Sequence, residues 1–132
     1  KRSGMLSALS HPWSCVRASE GGIVGGRVAK PHSRPYMASL QFQGHHSCGG
    51  ILIRDDYVLT SAHCKNDVQP MTVVLGAHDI SKKEKTQQRF KVQKYNQHPD
   101  YEGEQENDIM LIKVRTKLVC GPWFNPFCRV SK

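Results

Sequence analysis

The sequence predicts an all-β domain, in the form of a small closed antiparallel barrel. Between residues 23 and 114 the apolar residues form short β-type runs with no intervening helical period. Turn residues such as Asp55-Asp56 and Pro99-Asp100 separate these runs. Six short strands that close into a barrel have no exposed sheet edge. The predicted strands cover residues 36–41, 47–53, 57–60, 71–75, 89–95 and 108–114.

The two ends of the chain lack this pattern. Residues 1–22 have no hydrophobic period and are interpreted as a disordered leader or activation peptide. Residues 115–132 lose the alternation, and Gly121, Pro122 and Pro126 would break a strand there. The predicted organisation is therefore a leader (1–22), a barrel (23–114) and an irregular tail (115–132).

Composition limits the class of protein. A hydrophobic content of 38% and a charged content of 23% are typical of a globular domain. The longest apolar run of the barrel region, residues 109–112, is too short for a membrane span. The net charge of +8 favours polyanions, but residues 23–114 hold twelve basic and ten acidic residues, so the excess lies mostly at the ends. We expect neither a nucleic-acid nor a membrane partner.

Five cysteines in 132 residues favour an oxidising compartment, and hence a secreted protein. No cysteine pair has CxxC spacing and no Cys/His spacing resembles a zinc site, so no metal is expected. An odd count leaves at least one thiol unpaired within the chain. The pairing of Cys15, Cys120 and Cys128 stays open.

Two short segments carry the residues for acid–base chemistry. His63 lies between Ala62 and Cys64. A general base needs a pKa near working pH, which histidine offers, and it must be held in one orientation, which these neighbours favour. Asp108 stands at the head of an apolar run, 45 residues further on. A carboxylate that is hydrogen-bonded to the far imidazole nitrogen selects the tautomer and stabilises the imidazolium.

These segments occur in order with two others, Ile23-Val24-Gly25-Gly26 and residues 31–53. Together the four resemble the chymotrypsin/trypsin-like serine proteases, within the granule-stored subgroup of granzymes, mast-cell chymases and duodenase-like enzymes. The resemblance covers residues 23–114. It implies a six-stranded Greek-key β-barrel that forms the first half of a chymotrypsin-like double barrel.

The resemblance also implies roles for individual residues. His63 would be the catalytic base and Asp108 its orienting carboxylate, without any cofactor. Cleavage after Gly22 would free the ammonium of Ile23, which pairs with a buried aspartate in this family. Cys48 and Cys64 would form a disulfide, whose seventeen-residue loop stabilises by about 3 kcal/mol in the chain-entropy model.

The sequence departs from the family after residue 114. In the family a second barrel supplies the nucleophilic serine in GDSGG, the oxyanion-hole amides and the specificity pocket. Here the only serine after Asp108 is Ser131, which has no glycine context. We therefore predict a serine endopeptidase homologue that is inactive alone, exposes an apolar face, and acts on peptide substrates only with a second barrel. The Val114-Arg115 junction supports the hypothesis that residues from Val114 or Arg115 onward are translated from a retained intron or come from a mis-drawn gene model; a genuine isoform stays open.

Two other function classes remain open. One is a secreted polyanion-binding or antimicrobial module without catalysis, with an acidic proteoglycan as its partner. The other is a two-chain arrangement in which another polypeptide provides the second barrel. The sequence also offers weaker candidates: a metal site or plain hairpin tip at His45-His46, a solvated loop or proteoglycan contact at Lys82, Lys83 and Lys85, and a loop near the substrate groove at Glu102, Glu104 and Glu106.

Overall fold

The computed structural model describes residues 23–103, 105–115 and 118–119. Outside these residues lie the predicted leader before residue 23, residue 104 and most of the predicted tail. Cysteines 15, 120 and 128 are among them. The chain divides into two compact units, Lys1–Lys30 and Pro31–Lys132. In the first unit, the backbone N–H of Gly26 donates to the carbonyl oxygen of Ile23 at 2.8 Å, across a turn in which Gly25 has a φ of 74°.

The second unit is a closed antiparallel barrel, as the sequence predicts. Its strand order is β1-β2-β3-β6-β5-β4, and pairing of β4 with β1 closes the sheet. The described part contains no helix that is long and apolar enough to span a membrane. The strands are β1 (Met37–Phe42), β2 (His45–Arg54), β3 (Tyr57–Thr60), β4 (Met71–Leu75), β5 (Gln88–Gln97) and β6 (Met110–Val114), with a 3₁₀ turn at Ala62–Cys64.

Four of the six strands have boundaries that differ from the prediction. β1 and β2 extend to a two-residue hairpin because Gln43 and Gly44 both adopt positive φ angles, 50° and 80°, which match the twist of the flanking strands. β5 is longer at both ends. β6 begins at Met110 instead of residue 108, because Asn107 has a φ of 56° and its carbonyl oxygen accepts the N–H of Ile109 at 2.8 Å.

Aliphatic side chains fill the barrel, including Leu40, Leu52, Val58, Val73 and Ile112, each at most 1% exposed. Burial alternates along β6, as expected for a strand with one face on the core, whereas β1 and β4 bury several consecutive residues. Close approach of β2 and β3 requires a glycine. A Cβ atom at Gly50 would lie 2.7 Å from Cγ1 of Val58, which is shorter than packed carbon atoms tolerate.

The core also contains Leu118, a residue of the predicted tail. Its side chain is 5% exposed within the core cluster, and its N–H donates to the carbonyl oxygen of Asp55 at 3.1 Å. The packed barrel therefore includes a residue beyond 114.

Candidate catalytic site

His63 lies at the centre of the 3₁₀ turn Ala62–Cys64, directly after β3. The turn buries its two flanking residues, Ala62 and Cys64, and directs the imidazole outward, where 62% of the side chain is exposed. A disulfide joins Cys64 to Cys48 of β2. On the other side, Nε2 of Gln97 in β5 donates to the carbonyl oxygen of Ala62 at 3.1 Å. The turn is thus fastened to strands on both sides.

Asp108 reaches this turn from the segment that precedes β6. Its Oδ1 accepts the backbone N–H of His63 at 2.8 Å, and its Oδ2 lies 2.5 Å from the imidazole Nδ1. The two residues are 45 positions apart in the chain, so barrel closure brings them together. Both carboxylate oxygens are used, which fixes the imidazole relative to its own backbone.

The hydrogen bond from the His63 side chain lowers the pKa of Asp108, and the backbone N–H of His63 lowers it further, while partial burial opposes both. The carboxylate is consequently ionised at neutral pH, so it can accept hydrogen bonds but cannot donate one. The nitrogen that faces it, Nδ1, must then carry the proton. In the neutral imidazole this leaves Nε2 unprotonated, with the exposed side of the ring available to accept a proton.

The structure brings four of the five predicted site residues together. Among the described residues, Cys48, His63 and Cys64 form the group whose potential ligand atoms lie within 4.8 Å of one another. Both sulfurs are used in the disulfide and offer no thiolate to a metal. Ile23, the fifth residue, belongs to the other unit, and 84% of it is exposed.

The weaker candidates have ordinary surroundings. His45 and His46 begin β2, and Nδ1 of His46 lies 2.8 Å from Oγ of the buried Ser39. The lysines at 82, 83 and 85 are exposed on the loop between β4 and β5, and those glutamates of the 102–106 segment that the structure describes are exposed before Asp108.

Three further residues support the pair His63 and Asp108, which we call the dyad, through contacts that the sequence did not predict. They are Gln97, Thr60, whose Oγ1 donates to the carbonyl oxygen of Gly49 at 2.8 Å, and Asn107, whose Nδ2 donates to that of Asp100 at 3.3 Å. No motif marks the first two, because strand register alone sets their contacts. The Asn-Asp pair before an apolar run could have indicated the third, since asparagine tolerates a positive φ.

Comparisons with known proteins agree with this geometry. The family described as Trypsin matches residues 23–132, a range that continues through the predicted tail, so the boundary at residue 114 stays a prediction. Serine protease 57 of Rattus norvegicus is 50% identical over 103 residues, which are 76% of this chain and 37% of the relative. Duodenase-1 of Bos taurus is 52% identical over 117 residues, 86% of this chain and 44% of the relative.

Solved structures show the same likeness. The structure titled "Structure of GrC" is 48% identical, with a TM-score of 0.66 over 74% of this chain and 44% of that one. The serine protease neuropsin of mouse brain is 36% identical, also with a TM-score of 0.66. The chain spans about two-fifths of the length of the curated relatives it matches. It belongs to the trypsin family of chymotrypsin-like serine proteases.

Proposed function

We propose that this chain supplies the general base and its orienting carboxylate to a trypsin-like serine endopeptidase, and that it has no proteolytic activity as a separate polypeptide. The observation that carries the proposal is the 2.5 Å contact between Nδ1 of His63 and Oδ2 of Asp108. This contact leaves the other ring nitrogen free to take a proton from a nucleophile. The geometry is that of a general base positioned to take the proton of an alcohol.

The proposed inactivity follows from the chemistry of acyl transfer. The base acts only together with a nucleophile, and loss of either forfeits most of the triad's effect. Oxyanion-hole amides contribute several kcal/mol more. After Asp108 the 132 residues contain one serine, Ser131, without the glycines that surround the family's nucleophile. We therefore expect catalysis only when a second barrel completes the site.

An exposed apolar row supports the need for a second barrel. Met37, Ile51, Leu59 and Leu111 lie opposite one another on β1, β2, β3 and β6, and all point away from the core. Met37 is 51% exposed and Ile51 is 46% exposed. A contiguous apolar surface of this kind marks an interaction face. Its residues Leu59 and Leu111 are paired, and they lie four positions before His63 and three after Asp108, so we expect a barrel that covered the row to approach the imidazole.

The experiment has two stages. The purified chain is incubated with broad chromogenic substrates and a fluorophosphonate probe, and we expect neither hydrolysis nor labelling. It is then mixed with a separately produced second half of Duodenase-1, and we expect labelling of that half and hydrolysis that His63→Ala abolishes. Hydrolysis by the chain alone that is lost in His63→Ala contradicts the proposal.

A matched pair of variants tests the apolar row in the same mixture. Ile51→Lys places a charge in the row, while Ile80→Lys places one at a similarly exposed isoleucine on the loop between β4 and β5. We expect the first variant to lower recovered activity at least tenfold and the second to leave it within twofold. Equal effects would argue against the row as the covered face.

Processing and location belong to the same proposal. Cleavage between Gly22 and Ile23 would generate the family's mature N-terminus, and N-terminal sequencing of the secreted protein tests it. The disulfide requires an oxidising compartment, and the relatives include proteins named mast cell protease and granzyme. We accordingly propose a secreted protein or one of secretory granules.

A second candidate function is polyanion binding without catalysis. Arg54, Tyr57, Lys113 and Lys94 lie opposite one another across β2, β3, β6 and β5. Arg54 and Lys113 each approach the Tyr57 ring, at 5.8 Å from its centroid. Lys94 and Lys113 are directly paired like charges, an arrangement that is unfavourable unless an anion lies between them.

Heparin affinity tests this candidate. The double variant Lys94→Gln/Lys113→Gln should elute at lower salt than the wild type, whereas Lys83→Gln/Lys85→Gln, which removes the same charge elsewhere, should not. An equal decrease in the eluting salt concentration for the two variants would exclude the row that contains Lys94 and Lys113 as a specific site.

A further inference from the structure

A groove lies between the connection that follows the dyad turn and strand β5, on a surface that the proposed catalysis does not use. Its cavity is about 570 Å³, within the range of small-ligand and side-chain pockets. A second cavity of about 370 Å³ adjoins it and shares Val92 and Arg115 with it. We call this surface the 65–72 groove; residues 65–72, Lys91, Val92, Tyr95 and Arg115 line it.

The groove is positively charged. Three cations from different elements line it, Lys65, Lys91 and Arg115, against one acid among its described residues, Asp67. Asp67 pairs with Lys65 at 2.8 Å. The backbone N–H of Arg115 donates to the carbonyl oxygen of Lys91 at 2.9 Å, which holds the other two cations on neighbouring segments. Lys91 and Arg115 are exposed, so their charges are available to an anion.

The floor of the groove is apolar. Val92 and Tyr95 are half-buried, and the ammonium of Lys65 lies 5.9 Å from the centre of the Tyr95 ring. At the rim, Val68 is 88% exposed, so its side chain has little contact within the chain. A β-bulge between Val92 and Lys94 interrupts the pairing of β5 with β6 beside the floor. Bulges of this kind are frequent next to binding sites.

We propose that the 65–72 groove binds an acidic peptide segment of a partner protein. An apolar side chain of the segment would lie against Val92, Tyr95 and Val68, with flanking carboxylates facing Lys91 and Arg115. The combination of an apolar floor with a cationic edge favours such a segment over a glycan, whose sulfates would use the cations alone. The site does not include His63 or Asp108, so it is independent of the proposed protease function.

Fluorescence anisotropy with the full chain tests the proposal. The probes are fluorescein-labelled peptides of the sequences Glu-Glu-Phe-Glu-Glu, Glu-Glu-Ser-Glu-Glu and Gln-Gln-Phe-Gln-Gln. We expect saturable binding of the first and at least fivefold weaker binding of the other two. The double variant Lys91→Gln/Arg115→Gln should weaken the first peptide about five- to tenfold, as expected for two exposed ion pairs.

Two controls make the outcome decisive. Lys83→Gln/Lys85→Gln removes the same charge outside the groove and should change binding less than twofold, and cooperative melting shows that each variant is folded. Equal weakening by the two double variants, or no saturable binding of the first peptide at 1 mM, overturns the proposal. Equal binding of the phenylalanine and serine peptides, with displacement by a heparin hexasaccharide, would identify a polyanion surface and overturn it as well.

Discussion

Two carboxylates, Glu84 and Asp108, each stabilise one region of the barrel by accepting hydrogen bonds from backbone and side-chain donors. The two regions differ in how far along the chain those donors lie. Glu84 lies in the loop between β4 and β5, where its Oε1 accepts the N–H groups of His78 and Asp79 and the Nε2 of Gln87, at 2.8 to 3.2 Å. All of these donors come from within six residues. Asp108 also accepts a backbone and a side-chain donor, but both belong to a residue 45 positions away.

The difference shows that the hydrogen bonds of Asp108 depend on closure of the barrel, whereas those of Glu84 do not. Glu84 stabilises its own loop and requires little of the remaining fold. Asp108 depends on β3 and β6 being paired, on the disulfide of Cys64 and on the left-handed turn at Asn107. A local contact can form early and alone, whereas the dyad exists only when the barrel is closed. The contact with the least local support is the one on which the proposed function depends.

The largest expected effect comes from removing the disulfide beside the dyad. The double variant Cys48→Ser/Cys64→Ser frees a loop with a sequence separation of 16, and we expect a loss of about 3 kcal/mol in the free energy of unfolding by urea. Amide exchange should increase around His63 but not in the Glu84 loop. A loss below about 1 kcal/mol would mean that hydrogen bonds alone hold the turn.

Acid should weaken both regions together. Hydrogen bonds lower the pKa of Asp108 and of Glu84 below their ordinary values of 3.8 and 4.5. The unfolded chain therefore binds more protons, so the stabilisation is complete above the ordinary values and is lost as pH falls through the lowered ones. Urea unfolding between pH 6 and pH 2 measures this loss. Asp108→Asn/Glu84→Gln should have the shallower pH dependence, and an unchanged slope would contradict the assignment.

Single carboxylate variants should separate the two regions. In Glu84→Gln we expect about tenfold faster amide exchange at His78 and Asp79 and no change at the dyad. We expect the Nδ1 proton of His63 to be detected in NMR spectra of the wild type and lost in Asp108→Asn, because the ionised acceptor is gone. Spread of either effect into the other region would show that the two are coupled.

The smallest expected effects come from a matched pair of threonines. Oγ1 of Thr60 donates to Gly49 near the dyad, and Oγ1 of Thr86 donates to Gly76 at the base of the loop, both at 2.8 Å. Thr60→Val and Thr86→Val should each cost about 1 kcal/mol in chemical denaturation. A markedly larger loss in the free energy of unfolding for Thr60→Val would indicate that the dyad region depends more strongly on this hydrogen bond than the loop does.

Much of the fold could be predicted because short strands impose a period of two on the sequence. Val58 and Ile112 each lie between outward-facing neighbours, and the predicted strand at 71–75 coincides with β4. The ends of strands were less predictable, since turn geometry decides them: the left-handed residues at 43, 44 and 107 moved three boundaries. His63 and Asp108 could be identified as candidates from their local motifs, whereas Gln97 could not, because only register brings it to Ala62.

The sequence by itself determined the all-β class, the candidates for the base and its carboxylate, and the absence of a serine in the family's nucleophile context after Asp108 within these residues. These are properties of residue type and of periodicity, which need no long-range information. The tertiary structure alone decided that both oxygens of Asp108 bind His63, that Leu118 packs in the core, that an apolar row crosses β1, β2, β3 and β6, and that a cationic groove lies beside β5. Such contacts join residues that are distant in the chain, and only closure of the barrel sets their positions.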